Sequence, residues 1–425
     1  MGRKCPTTGA PSGVWPLYSS TRLASVLAAL LIAGCSGAGV VPRGGAPAGS
    51  APAGAVRPAE NATGLPGENA TGLPGENMTG LPGENATGLP GTAFSCSPVT
   101  QPGQARCTLE IDLDAGTIAD PSAPPATLPG LHPADIASAY ALPTDAGGGT
   151  VAVVDAYDDP TAEADMAAYR ATFGLPPCTS PSHCFRKVDQ RGGTRYPAVD
   201  AGWANETALD LAMVSAVCPR CSIVLVEADS ASMDDLGASV DTAATFSPVA
   251  VSNSYYASEW SGEASEDVHY DHPGIAMTAS SGDAPAPFYP AASPFVTAVG
   301  GTSLVSSGGA WSETPWSMGG SGCSAYVPRP KWQAVAPCSA RATVDVAVVA
   351  DPKTGVSVFS TTGGGWIVAG GTSVGAPVIA AAYALSGSGA GPAYAYRHAS
   401  AFAPVGSPGY HLATGLGSPR GVGGL

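Results

Sequence analysis

Apolar runs alternate with helical stretches between residues 150 and 386, and this alternation limits the possible folds most narrowly. The apolar runs are continuous, which is typical of strands that are buried on both faces of a sheet. The strand candidates are Thr150–Ala156, Ser222–Ala228, Val249–Ser252, Ile275–Ser280 and Val344–Ala350, and the helix candidates are 160–173, 205–217, 232–245 and 373–386. We therefore predict an α/β fold with a mostly parallel central sheet and helices on both faces. Functional residues in such folds gather at the carboxyl ends of the strands.

The charge balance of the chain excludes one class of partner. The 425 residues carry a net charge of −15, and only 12% of them are charged. Nucleic-acid binding needs clustered lysine and arginine, so we expect no nucleic-acid partner.

The first 35 residues are typical of an export signal. Arg3, Lys4 and Arg22 precede an apolar run from Leu23 to Ile32, and Cys35 follows that run. The ending Ile-Ala-Gly-Cys resembles a bacterial lipobox, which predicts lipidation of Cys35; the alternative is an ordinary signal peptide that contains a cysteine. No later segment has the ~18–20 apolar residues of a membrane span, so we expect membrane contact only through this lipid.

Composition divides the rest of the chain into three parts. Residues 36–95 are rich in Gly, Pro and Ala and include four copies of an octapeptide over 60–91, which predicts a disordered stalk. Residues 96–130 contain one cysteine pair and many prolines, as in a short linker or a vestigial pro-segment. The α/β pattern then predicts one domain over 131–425.

Eight cysteines beyond Cys5 and Cys35 fall into four close pairs, which in an exported chain indicates disulfides. The candidates are Cys96 and Cys107, Cys178 and Cys184, Cys218 and Cys221, and Cys323 and Cys338. The Cys-Pro-Arg-Cys segment could also be half of a zinc site or a redox motif, but no second such motif accompanies it. We favour a structural loop.

Ser373 opens the last apolar helix, directly after Gly370-Gly371-Thr372. A helix N-terminus offers free N–H groups and a partial positive charge, which suit the oxyanion of an acyl-transfer intermediate. Such a serine is more often only a helix cap, so the prediction of a nucleophile needs further residues.

Three acidic residues supply those further groups. Glu206 and Asp210 are four residues apart in a helix that is otherwise apolar, and two buried carboxylates at that spacing share a proton. Asp283 lies in a tight turn after a strand, where a protonated carboxyl could donate a hydrogen bond to an oxyanion.

The ordered motifs of the second half of the chain resemble those of the sedolisins, the serine-carboxyl peptidases with a subtilisin-like fold. The likeness covers roughly residues 131–425. Its motifs are Glu206-x-x-x-Asp210, Ser281-Gly282-Asp283, Tyr289–Pro294, Val299–Leu304, Val344–Ala347, Ala350–Gly355, Gly371-Thr372-Ser373 and Thr414–Gly417.

The resemblance implies a role for each candidate residue. Ser373 would be the nucleophile, Glu206 the general base, Asp210 its orienting partner and Asp283 the oxyanion donor. Because carboxylic acids ionise near pH 4, we expect an acid-active endopeptidase. It would act on polypeptides as a monomer, secreted or held at the cell surface.

The chain departs from the sedolisin pattern at two points. Sedolisins generally have a large N-terminal pro-domain, whereas only the stalk and residues 96–130 precede the catalytic region here. Their calcium site uses an acidic loop and a Gly-Trp-Asp motif, but this chain has Gly409-Tyr410-His411 and no acid in 402–409. Calcium prefers carboxylate ligands, so we expect the site to be lost or weakened.

Two other functions remain open. A Ser-His-Asp peptidase would use Asp155 and one of His183, His269 and His272, but Glu206 occupies the helix that should supply the histidine. We expect a structural or substrate-cleft role for Asp155 and no metal at His269 and His272. A catalytically silent adhesion or binding protein on a peptidase scaffold would explain the stalk and the absent pro-domain.

Overall fold

The structure is a computed structural model that describes residues 89–99 and 101–425. The predicted signal peptide, the lipidation of Cys35 and nearly all of the stalk lie outside these residues. No helix in the described part of the chain is long and apolar enough to cross a membrane.

The described residues form nineteen strands and six helices. The strands are β1 (Thr92–Phe94), β2 (Arg106–Cys107), β3 (Glu110–Asp112), β4 (Thr150–Ala156), β5 (Phe185–Asp189), β6 (Ser222–Ala228), β7 (Ala250–Asn253), β8 (Tyr255–Ser258), β9 (Ala276–Ser280), β10 (Phe288–Tyr289), β11 (Val296–Ser307), β12 (Ala310–Pro315), β13 (Cys323–Pro328), β14 (Ala340–Ala342), β15 (Val346–Val349), β16 (Val356–Ser360), β17 (Gly365–Gly370), β18 (Phe402–Ala403) and β19 (Ser418–Pro419). The helices are α1 (Pro133–Ala139), α2 (Ala162–Thr172), α3 (Ala201–Val217), α4 (Met233–Ala244), α5 (Gly375–Ser386) and α6 (Pro392–Arg397).

The central sheet has the strand order β5-β6-β4-β7-β9-β11, and every neighbouring pair in this series is parallel. β15 continues the sheet in parallel with the middle of β11, at Val299–Thr302, while β12 pairs antiparallel with its second half. All five predicted strands belong to this sheet, and the four predicted helices correspond to α2, α3, α4 and α5. The predicted α/β fold is confirmed.

Helices cover both faces of the central sheet because its strands are apolar on both sides. In β4, Val151 and Val153 belong to the apolar core that includes residues of α2, α3 and α5. Ala152 and Val154 point to the other face and pack in the core that contains α4. The start of α5 and the middle of α3 therefore lie at the same edge of the central sheet.

A second sheet, of order β1-β3-β17-β16, joins the residues before 131 to the strands that lead to Ser373. Leu109 and Leu128 are buried in the same core as α3 and α5. The domain boundary at residue 131 stays a prediction, although residues of both 92–99 and 101–128 pack on the elements that follow it.

The same four cysteine pairs that the sequence indicates are joined by disulfides, Cys96–Cys107, Cys178–Cys184, Cys218–Cys221 and Cys323–Cys338. Cys218 and Cys221 are fully buried at the turn before β6, as expected for a structural loop.

Candidate active site

Ser373 lies in a 3₁₀ turn, Thr372–Val374, between the end of β17 and the first residue of α5. Gly371 enables this sharp turn with a φ of +94°, which a side chain rarely adopts. A Cβ at Gly371 would also collide with the carbonyl oxygen of Thr108. The strand and the glycine together direct the Ser373 hydroxyl toward α3.

Helix α3 supplies two carboxylates to this region. The side chain of Asp200 accepts hydrogen bonds from the N–H groups of Gly202 and Trp203, which fixes where the helix begins. Glu206 and Asp210 follow one turn apart, and both are fully buried. Burial raises the pKa of Glu206, and the nearby Ser373 hydroxyl offsets part of this rise, although neither Glu206 oxygen has a hydrogen-bond partner.

Asp283 approaches Ser373 from the loop after β9. Its Oδ1 accepts hydrogen bonds from the N–H and the hydroxyl of Thr372, both at 2.8 Å, while Oδ2 has no partner. Burial, followed by the charge of Glu110, raises the pKa of Asp283 well above its ordinary value. A carboxyl in this state holds a proton that Oδ2 can donate.

Two residues that the sequence analysis did not assign to catalysis also lie here. Ser254 follows β7 directly, and its hydroxyl donates to Asp210 Oδ1 at 2.8 Å, while its carbonyl oxygen is 3.5 Å from Ser373 Oγ. Asp155, near the end of β4, is fully buried, and neither of its oxygens has a hydrogen-bond partner. Both residues lie at carboxyl ends of central strands, and that position is the signal that could have found them.

Asp155, Glu206 and Asp210 form one electrostatic cluster. Burial, followed by the Asp155 carboxylate, raises the pKa of both Glu206 and Asp210 well above the ordinary range. The Glu206 carboxylate further raises the pKa of Asp210, and burial raises the pKa of Asp155 itself to about 7. Negative charge is costly in this region, so the cluster readily holds protons.

Comparison with known proteins shows what this chain is similar to. No protein-family model matches the chain. Kumamolisin from Bacillus sp. (strain MN-32) is 30% identical over 354 residues, which are 68% of this chain and 62% of the relative. This chain belongs to the sedolisin family. It thus spans less than two thirds of the length of this sedolisin relative.

A solved sedolisin has the same fold. Pseudomonas sedolisin, a serine-carboxyl proteinase solved in complex with pseudo-iodotyrostatin, has a TM-score of 0.62 and 22% sequence identity, and the match covers 69% of this chain and 96% of that one. The predicted subtilisin-like fold is confirmed.

The histidines of this sedolisin lie away from Ser373. His269 Nδ1 and His272 Nε2 bind opposite oxygens of Asp241 on α4, at 2.7 and 3.0 Å. His183 lies inside the loop closed by Cys178–Cys184. Within residues 89–99 and 101–425, no histidine hydrogen-bonds to Ser373.

The residues of this chain that correspond to the sedolisin calcium site do not suit calcium. Residues 402–425 contain no Asp or Glu. His411 is engaged in a local turn, in which its ring nitrogen lies 3.3 Å from the N–H of Ala413. In the described part of the chain, no three His, Cys, Asp or Glu side chains are close enough to hold a metal ion. Calcium would therefore lack its preferred carboxylate ligands.

Proposed function

We propose that this chain is a serine-carboxyl endopeptidase that cleaves polypeptides in acid medium. One observation carries the proposal: Ser373, at the start of α5, lies beside the buried carboxylate Glu206 and not beside an imidazole. Membership of the sedolisin family supports the same chemistry.

Each residue then has a defined task. Ser373 Oγ attacks the substrate carbonyl and Glu206 accepts its proton, then returns it to the leaving amine. Asp210 orients Glu206, shares its proton and is held by the Ser254 hydroxyl. Asp283, kept protonated by burial, donates to the oxyanion beside the N-terminus of α5.

Two opposite protonation requirements limit the pH range of activity, and the need for a protonated Asp283 is the one that supports acid activity. Glu206 must be ionised to accept a proton, whereas Asp283 must remain protonated to donate one. As pH rises through the pKa of Asp283, the donor is lost, and the rate falls. Export and lipidation of Cys35 are separate predictions about residues 1–35.

Hydrolysis of unfolded casein by wild type and Ser373→Ala tests this proposal, after both proteins have been incubated at acid pH. We expect the substitution to lower the rate by up to about 10⁶-fold, as for removal of a serine nucleophile. Ser386→Ala, at the other end of α5, is the matched control and should retain wild-type activity. Casein hydrolysis that is absent from wild type, or that survives Ser373→Ala, would favour a silent binding protein or another active site.

A further inference from the structure

Residues 259–272 follow β8 in the chain and are rich in acidic side chains; we call them the β8 loop. The loop contains a 3₁₀ turn, Glu263–His269, which packs against α4 and β13. It has no Lys or Arg, and its acids are Glu259, Glu263, Glu266, Asp267 and Asp271. None of these acids has a task in the proposed peptidase mechanism, so the acidic character of the loop needs another explanation.

Two acids of the β8 loop meet in the interior of the protein. Glu263 is 0% exposed, and its Oε2 accepts a hydrogen bond from the N–H of Trp260 at 2.9 Å. Glu259 is oriented toward β13, where its Oε2 accepts from the N–H of Ala325 at 3.0 Å. The other oxygen of each side chain is buried and has no further partner, and the two carboxyl groups are within hydrogen-bond reach of each other. This pair connects the β8 loop to β13.

The contact between the two carboxyl groups depends on one proton. Two ionised carboxylates can only accept hydrogen bonds and repel each other, whereas a shared proton turns one of them into a donor. Within residues 89–99 and 101–425, neither Glu259 nor Glu263 forms an ion pair with Lys, Arg or His. Burial, followed by the charge of Glu259 and more weakly that of Asp267, raises the pKa of Glu263 to about 8. The pair therefore keeps one proton in acid medium.

The charged groups around the pair have other partners. β13 has no charged side chain. On α4, Asp241 binds His269 Nδ1 at 2.7 Å and His272 Nε2 at 3.0 Å, so both imidazoles of the loop are engaged there. From β10, the hydroxyl of Tyr289 donates to Asp267 Oδ1 at 3.1 Å. The shared proton is thus the feature whose loss changes the contact of the loop with β13.

Hydrogen bonds link the β8 loop to the candidate active site. The hydroxyl of Tyr270 lies 3.3 Å from that of Tyr255, which donates to Asn253 Oδ1 at 2.8 Å. Ser254 lies between these last two residues in the chain, and its hydroxyl donates to Asp210. Movement of the loop would therefore affect the residues that hold Asp210 in place.

We propose that Glu259 and Glu263 form a pH-sensitive clip, which holds the β8 loop to β13 while they share a proton and releases it when that proton passes to solvent. The closed loop binds the proton more tightly than the released loop, so the stabilising contribution of the clip is complete in acid and is lost as pH rises to about 8. Its effect on activity rests on the proposed peptidase function. Outside acid medium the support of Ser254 would weaken, independently of the proton on Asp283.

Amide hydrogen exchange of the full chain measures the release directly, at about pH 4.5, 6 and 8 and with Ser373→Ala to prevent proteolysis. After division by the intrinsic rates, we expect exchange in residues 259–272 to rise at least about 10-fold from the lowest to the highest pH, while the central strands stay protected. Glu263→Gln on this background replaces the shared proton with an amide N–H that Glu259 can accept at any pH. The rise should then be smaller than about 2-fold.

Glu263→Ala distinguishes the clip from simple packing, because it removes both the charge and the hydrogen bond. Its β8 loop should exchange rapidly at every pH. Asp271→Asn, at an exposed position of the same loop, is the matched control and should keep the parental pH dependence. Thermal melting shows whether each variant folds. If Glu263→Gln does not, the Ser373→Ala parent decides alone, because the clip predicts a rise confined to the β8 loop.

An equal rise in the central strands, or a rise that persists in Glu263→Gln, overturns the inference. Either result leaves the proposed function standing, since hydrogen exchange is measured without activity. In the active chain, Glu263→Gln should match wild type on casein in acid and keep at least about 2-fold more activity after incubation at pH 8. Equal losses in both proteins would overturn the effect on activity. Absence of casein hydrolysis from wild type removes the proposed function, while exchange still decides the clip.

Discussion

Among individual residues, Asp155 combines full burial with two oxygens that lack hydrogen-bond partners. Burial raises the pKa of both Glu206 and Asp210, and the charge of Asp155 raises it further. In Asp155→Asn this charge is absent, so the pKa of Glu206 falls and its carboxylate becomes ionised at lower pH. We expect the acid limb of the kcat/KM profile on casein to move to lower pH.

Asp234→Asn is the matched control, because Asp234 is exposed on α4. It should leave the pH dependence of kcat/KM unchanged. A lower rate of Asp155→Asn with an unmoved acid limb would show that Asp155 acts only through packing.

Residues differ in how far the sequence could predict them. Ser373, Glu206, Asp210 and Asp283 were predicted because each belongs to a short local motif, and the structure brings all four together. Thr108 had no such signal, since it meets Ser373 across 265 residues of chain. A contact of that separation depends on the path of the whole fold.

At the scale of elements, the N-terminal hairpin, which comprises β1, β3 and the described residues between them, packs on α3 at a glycine. A Cβ at Gly202 would lie 2.5 Å from the carbonyl oxygen of Ser95, and the Ser95 hydroxyl donates to the carbonyl oxygen of Gly202 at 3.0 Å. Gly202→Ala favours the helix by up to about 1 kcal/mol but pushes the backbone of the hairpin away. On a Ser373→Ala background, we expect faster amide hydrogen exchange in residues 92–96 and little change in the central sheet.

Ala201→Ser is the matched control, because residue 201 is the exposed first residue of α3. Equal exchange in the hairpin of both variants would mean that Gly202 does not determine how tightly the hairpin is held.

Some elements were predictable and others were not. The buried strands β4 and β6 form at the predicted residues because long apolar runs identify them. The hairpin strands β1 and β3 are only three residues long, with the sequences Thr-Ala-Phe and Glu-Ile-Asp, and carry no periodic signal. β3 forms by pairing with β17, and β1 forms by pairing with β3; neither pairing is local in sequence.

For the whole molecule, buried acids determine how stability depends on pH. Burial raises the pKa of Glu110 to about 7, and that of Glu227 and Glu263 to about 8. These groups bind protons more tightly in the folded chain, so their stability contribution is complete below about pH 4.5 and is lost as pH rises to about 8. We expect the Tm of Ser373→Ala to fall by about 5 °C or more over this range.

Glu263→Gln on the same background should flatten this fall, because residue 263 then no longer titrates. Asp271→Asn, at an exposed position nearby, is the control and should leave the fall of Tm with pH unchanged. A Tm that rises from pH 5 to pH 8 would contradict the expected sign.

All four cross-links are short in sequence, with separations of 11, 6, 3 and 15 residues. None of them connects parts of the chain that are far apart in sequence. Within residues 101–425, a nick outside these small loops leaves two pieces that no disulfide of the described residues joins. Electrophoresis in denaturant without a thiol would therefore reveal every such nick as two bands.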